Sequence, residues 1–439
     1  MRSNSTLFYV THQRTATAAC AHIQQTTTWH FPMKHLYLPA IALLAASSFT
    51  AQAQTMKVKC GQITTLIPAV TADDMNFIEG GTAFVVKGHT FKVADVNEIT
   101  IDRTTIQPNT LTINYTAQGA TVTVPIDNLP GLSITTQVGH VSIVADSTVQ
   151  TELNYVLIGT TDNGSFFMDG EYKARVELNS LTLTNPTGAA IDIANGKRID
   201  VVLPTGTTTT LTDGANGTHD ACLFVNGHAE LKGGGTLNLT GNTKHAYASD
   251  EYTILKPSFG TLNVTSAVGD GMHVNQYLLV EAGTVNIAGT KGDCIDVGIT
   301  KDSLDELNGQ AQINGGTLHL DVTSDDTKGL KTDSMLTISG GRIEANVAGN
   351  GAKGISTGTH FLLQRTATTS PDISMTVSGG IYKPGDALLE SKCRGIKVKG
   401  DFTFDGGNIN MTVTGQKAKG ISVDGLYTYK QGTSNVQPS

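Results

Sequence analysis

One pattern dominates the second half of this chain: Gly-Gly-x-(apolar)-x-(apolar), a polar stretch, then a charged residue, Gly and an apolar residue. It reads GGGTLNLTGNTKHAYA at Gly233–Ala248, FGTLNVTSAVGDGMHV at Phe259–Val274 and AGTVNIAGTKGDCIDV at Ala282–Val297. It returns as GGTLHLDVTSDDTKGLK at Gly315–Lys331, GGRIEANVAGNGAKGIS at Gly340–Ser356, GGIY…CRGIK at Gly379–Lys397 and GGNINMTVTGQKAKGIS at Gly406–Ser422. Self-similarity at this period is the signature of a repeat architecture, in which each unit buries its apolar side only against its neighbours.

The first apolar position gives the period. Leu237, Leu262, Val285, Leu318, Ile343, Tyr382 and Ile409 are 25, 23, 33, 25, 39 and 27 residues apart. The short intervals suit one β-coil of three short strands and three turns. The long ones place insertions at 299–312 and 357–373. Period-two alternation puts these residues, and their partners Leu239, Val264, Ile287, Leu320, Ala345 and Met411, inside the coil. No amphipathic helical pattern interrupts the strands, so a barrel of alternating strands and helices is excluded. The fold class is all-β: a parallel β-helix, or solenoid, with one strand of each coil stacked on the next.

The rest of the chain divides around that core. Residues 1–32 lie upstream of Met33-Lys34-His35, the apolar run Leu36–Ala46 and the small-residue site Ala51-Gln52-Ala53. A charged start, a short apolar core and an A-x-A site make 33–53 a secretory signal peptide, cleaved near Ala53. Residues 1–32 then read as an over-extended start. The mature chain is expected outside the cytoplasm, in the periplasm or at the cell surface, with no segment long enough to cross a bilayer. Residues 54–105 alternate as short strands at Phe84–Val86, Thr90–Val93 and Ile99–Asp102, which reads as a small β module or a cap over the open end of the stack. Residues 106–430 form the coils, looser before 230, and 431–439 a polar tail. The net charge of −8 excludes nucleic acid as a first partner. The sole tryptophan, Trp29, falls in the removed segment, so the mature chain has no indole on which a sugar could stack.

Four cysteines remain: Cys60, Cys222, Cys294 and Cys393. Cys222, Cys294 and Cys393 sit three coils apart from one to the next, about 14 Å at the strand spacing, beyond disulfide reach. They are expected as free thiols filling the coil interior.

Three outward columns follow from the register. The first is Asn238, Asn263, Asn286, His319, Glu344, Lys383 and Asn410, whose asparagines can form a structural amide ladder. The second, just before the second glycine, is Lys244, Asp270, Asp293, Lys328, Lys353, Arg394 and Lys419. The third is His273, Asp296, Lys331, Ser356, Lys397 and Ser422. Strict alternation would aim the second column inward, so it is expected in the turn between strands. Lys328, Lys331, Lys353, Arg394, Lys397 and Lys419 form a basic stripe, read either as the binding surface for a linear polyanion or as a solvated face. Asp270, Asp293 and Asp296 form an acidic cluster. A hard cation such as calcium would relieve its repulsion; salt bridges to Lys244 or Lys291, plain solvation, or a glycosidase acid and base are the alternatives.

TLTDG at Thr210–Gly214, the GGGTLNLTGN coil and the repeated GDG and KGI steps resemble a family of bacterial secreted carbohydrate-binding domain-containing proteins. The resemblance covers about 175–425. It implies a right-handed, single-stranded parallel β-helix similar to pectate lyases, binding cellulose or acidic sugars such as polygalacturonate, with calcium on face aspartates. Asp270 and Asp293 match that acidic step, whereas Lys328, Lys353, Arg394 and Lys419 depart from it. The expected function is non-catalytic binding of polysaccharide along one face. A calcium-dependent polysaccharide lyase, with a base among Arg394, Lys397 and their neighbours, and a structural surface adhesin are the alternatives.

Overall fold

The structure, a computed structural model, describes residues 54–215, 220–300, 302, 304–385 and 389–438. The signal peptide and the upstream segment fall outside the described residues. Among those residues all regular structure is strand, apart from four short 3-10 turns.

From about residue 174 the chain visits three parallel ladders in rotation. The first ladder stacks Ile199–Val202, Ala229–Lys232, Thr253–Leu255, Tyr277–Val280, Gln310–Ile313, Leu336–Ile338, Phe361–Gln364 and the start of Phe402–Val413. The second stacks Thr208–Thr212, Thr236–Gly241, Thr261–Ala267, Thr284–Ile287, Thr317–Val322, Arg342–Val347, Asp372–Val377 and the end of Phe402–Val413. The third runs through Ile191–Ile193, Ala221–Val225, His245–Ser249, Met272–Asn275, Ile295–Gly298, Lys328–Thr332, Lys353–Thr357, Arg394–Val398 and Lys419–Val423. Every pairing in these three ladders is parallel, as stacked coils require.

The interior column is continuous: Leu237, Leu262, Val285, Leu318, Ile343, Ile373 and Ile409 are paired rung by rung, and all are buried. Each such side chain contributes roughly 1.5–3 kcal/mol by leaving water. Near the C-terminal end the filling becomes aromatic, with Phe361 stacked on Phe402 at 4.6 Å between ring centres.

Ile373 takes the place expected for Tyr382, and Ser374 that of Lys383. The coil enters its second-ladder strand through Ser370-Pro371, without Gly-Gly; Gly379-Gly380 follows that strand and was matched to the wrong turn. The expected insertion at 357–373 is met only in part, by a longer connection at 365–371. Residues 357–373 also hold the strand Phe361–Gln364, and the other extra residues form a hairpin pairing Ile381–Tyr382 with Ser391–Lys392. The earlier insertion runs from Ile299 to Gly309, since Gln310–Ile313 is already strand.

The glycine of each charged-Gly-apolar step has a steric cause. A Cβ on Gly329 would meet the Gly354 carbonyl oxygen at 2.5 Å, one on Gly354 the Gly395 oxygen at 2.7 Å, and one on Gly395 the Gly420 oxygen at 2.6 Å. Both the glycine and the apolar residue after it are buried, while the charged residue before them opens the strand facing out. Lys328, Lys353, Arg394 and Lys419 of the second column thus sit at the strand start, outward, whereas Lys244, Asp270 and Asp293 lie between strands, as expected.

Residues 55–102 pack separately. Thr55–Cys60 pairs antiparallel with Ile63–Pro68 and with Val96–Asp102, beside a three-stranded sheet from Asn76–Ile78, Ala83–Val86 and His89–Lys92. Met56, Val58, Ile67, Phe84, Val86, Phe91, Val96 and Ile126 form their own buried cluster. Ile63–Pro68 also pairs with Gly119–Pro125, which joins this module to the N-terminal end of the stack.

Candidate functional site

Two outward faces carry polar stripes. On the second ladder the stripe is Asn238, Asn263, Asn286, His319, Glu344, Ser374, Asn410 and, on the last strand, Asn435, eight rungs in register. At the strand spacing seven steps span about 34 Å. The stripe lines an open groove of about 1010 Å³, walled by a second stripe that includes Thr265, Asp321, Asn346, Thr376 and Thr412. The amide ladder is present: Asn286 Nδ2 donates to Asn263 Oδ1 at 2.7 Å, and Asn263 Nδ2 to Asn238 Oδ1 at 2.8 Å. It ends where His319 Nδ1 meets Glu344 Oε2 at 2.7 Å and Arg342 Nε meets Glu344 Oε1 at 2.5 Å. Asp321 Oδ1 accepts from Asn346 Nδ2 at 2.8 Å. Both carboxylates in the groove are thus held by neighbours.

The third ladder carries the predicted charged columns. His273, Asp296, Lys331, Ser356, Lys397 and Ser422 stack as the repeat implies. So do Lys328, Lys353, Arg394 and Lys419. The column start differs: His245, in place of Lys244, is level with Asp270, because Tyr247 pairs with Met272. That coil has Ala246 where later coils have glycine, so a glycine-anchored alignment slips by one residue. Counting back from Tyr247 would have found His245.

Down this column each side chain accepts the backbone N–H of the next rung. Asp270 N–H donates to His245 Nδ1 at 3.0 Å, Asp293 N–H to Asp270 Oδ1 at 2.7 Å, and Lys328 N–H to Asp293 Oδ1 at 2.8 Å. The His245 and His273 rings stack, with centres 4.5 Å apart. His273 Nδ1 lies 3.1 Å from Asp270 Oδ2 and 3.4 Å from Asp296 Oδ2, so its imidazolium bridges two rungs.

These contacts set the acid–base chemistry. Hydrogen bonds to Asp270 and Asp296 raise His273 to about 9. Burial opposes ionisation of Asp270, but the His245 and His273 imidazoles outweigh it and hold the carboxyl well below its usual range. Burial likewise opposes Asp296, and His273 and Lys331 override it. Asp293 differs: burial pushes it up to about 6, despite Lys328 nearby.

The basic stripe is mostly neutralised. Lys331 pairs with Asp296 at 2.8 Å and Asp333 at 3.2 Å, and Lys353 with Asp326 at 2.8 Å. Lys397 pairs with Asp424, and Lys328 Nζ donates to the Asp326 carbonyl at 2.7 Å while lying 3.9 Å from Asp293. Arg394 donates to the carbonyls of Cys393 and Lys417, and Lys419 is exposed. Neither has a carboxylate partner among the described residues. Cys222, Cys294 and Cys393 are buried free thiols and Cys60 is half-buried.

The model of the carbohydrate-binding domain-containing protein family matches residues 139–437, more than half the chain and all of the groove. The chain belongs to that family. No curated protein matches it. Among solved structures it is similar to a polysaccharide lyase-like protein from C. thermocellum, determined as a gadolinium derivative, at 19% identity and a TM-score of 0.48, over 60% of this chain and 99% of that one. The family's matched segment includes both polar faces, so the assignment to one of them rests on their geometry.

Proposed function

We propose that this chain is a secreted, non-catalytic carbohydrate-binding protein, wound as a right-handed parallel β-helix, that holds one strand of a neutral, hydroxyl-rich polysaccharide of the cellulose type lengthwise in the second-ladder groove. The observation that carries this reading is the eight-rung polar stripe along the groove floor. Five of its rungs, Asn238, Asn263, Asn286, Asn410 and Asn435, carry amide donors and acceptors, and its rung spacing is of the same order as one pyranose unit, so successive sugars meet successive polar rungs. Glu344 and Asp321 are engaged by His319, Arg342 and Asn346, which leaves no free carboxylate pair for general acid and base work in the groove.

A second reading, an acidic polysaccharide on the third ladder, is favoured by Arg394 and Lys419, the stripe's cations without carboxylate partners among the described residues. Retention on cellulose and on polygalacturonate separates the two. Thr265→Arg with Ser374→Arg, which fills the groove, is expected to abolish retention on cellulose. Lys353→Glu with Arg394→Glu is expected to leave it unchanged. Loss of binding only in the second variant, or release of an unsaturated uronate product, would overturn the groove reading.

A further inference from the structure

Calcium does not fit the acidic cluster. It takes six to eight oxygens, yet Asp270 Oδ1 and Asp293 Oδ1 each hold a backbone N–H, Asp296 Oδ1 holds Lys331, and two imidazoles stand among them. What converges is a mixed nitrogen and oxygen set. One ligand atom from each of His245, Asp270 and His273 lies within 4.8 Å of the other two. Asp270 Oδ2 is 3.2 Å from His245 Nδ1 and 3.1 Å from His273 Nδ1, and Asp296 Oδ2 is 3.4 Å from the latter.

His245 is the decisive member. It is 5% exposed, and its Nε2 has no hydrogen-bond partner. Its Nδ1 accepts the Asp270 N–H, so the ring proton is on Nε2 and the single in-plane lone pair of Nδ1 points into the cluster. Asp270 Oδ2 stands 3.2 Å from that nitrogen, so a cation bound between them would take the lone pair in exchange for the amide N–H. Among the described residues its side-chain polar contacts are all with this cluster.

We propose that His245, His273 and Asp270, with Asp296 as fourth donor, form a binding site for a first-row transition-metal dication of the zinc class. Two imidazole nitrogens and two carboxylate oxygens suit a four-coordinate ion of that class and disfavour calcium. On binding, the His273 Nδ1 proton leaves to solvent and its lone pair turns to the metal. Small rotations of the two rings and the Asp270 carboxylate close the donor set. Lys331 and the Asp293 backbone, already hydrogen-bonded to the carboxylates, hold them in place as the outer shell.

The test uses the full chain, without an affinity tag, stripped with EDTA and titrated calorimetrically with Zn²⁺, Co²⁺ and Ca²⁺. One Zn²⁺ per chain is expected, with Co²⁺ giving the intense visible bands of a tetrahedral site and excess Ca²⁺ failing to displace either. His245→Gln and His273→Gln are each expected to weaken Zn²⁺ by tenfold or more, on the order of a lost ligand. Ser422→Ala, five rungs away on the same ladder, is expected to leave affinity unchanged. Because His245 is buried and its replacement puts the fold at risk, His273→Gln, checked for a native circular dichroism spectrum, decides the case. Unchanged Zn²⁺ binding in that variant, no Zn²⁺ binding at all, or preference for Ca²⁺ would overturn the proposal.

Discussion

Replacing His273 by glutamine isolates the charge of the bridge between Asp270 and Asp296, because the amide still reaches one carboxylate while the positive charge is gone. In the folded, metal-free chain His273 titrates near 9 against an ordinary 6.5. Its side chain is 27% exposed, so solvent screening is limited. A shift of that size corresponds to about 3 kcal/mol, taken as an upper value. The folded pKa is the raised one, so this stability is complete below about pH 6.5 and is lost as pH climbs through 9. Asp220 and Asp250 also feel this charge, which adds to its stabilising sign. Urea unfolding followed by circular dichroism, in EDTA, is expected to show His273→Gln destabilised by about 2–3 kcal/mol near pH 6 and by almost nothing near pH 10. A deficit that is constant with pH, or that grows toward high pH, would refute the bridge.

Other consequences follow from packing. Gly354→Ala places a Cβ 2.6 Å from Met375 Sδ and 2.7 Å from the Gly395 oxygen; a loss of about 1–3 kcal/mol is expected, read as a lower melting temperature. Leu262→Ala, in the centre of the interior column, is expected to cost about 2–5 kcal/mol, with amide exchange rising first in the rungs that pair with Thr261–Ala267. Of the four cysteines among the described residues, a maleimide reagent is expected to label only Cys60 in native protein, with Cys222, Cys294 and Cys393 reacting only after denaturation, since all three are wholly buried.

The sequence made the coil stack legible because period-two alternation and the Gly-Gly turns both recur, and Leu262 over Val285 over Leu318 is what those two signals imply together. It also placed His273, Asp296, Lys331 and Lys397 in one column, since a fixed offset from the interior residue survives insertions outside the strand. Two errors share a cause. The Gly-Gly signal points to Tyr382 and the charge to Lys244, yet one coil enters its strand through Pro371 and another has Ala246 for glycine. Turn chemistry varies where interior packing does not. The column already stacks Asp296 on Lys331, but the neutralisation of Lys353 and Lys397 is hidden for a different reason. Their partners Asp326 and Asp424 each lie 27 residues away, outside the columns, and only the folded register brings these acids beside the cations.

The most direct test of the groove is the dependence of affinity on ligand length. Calorimetric titration of neutral β-linked glucan oligosaccharides of increasing length is expected to show affinity rising with each added unit and levelling off near the length that fills eight rungs, with the Thr265→Arg, Ser374→Arg variant showing no such rise. Equal affinity for a disaccharide and a long oligomer, or a length dependence that survives filling of the groove, would contradict it.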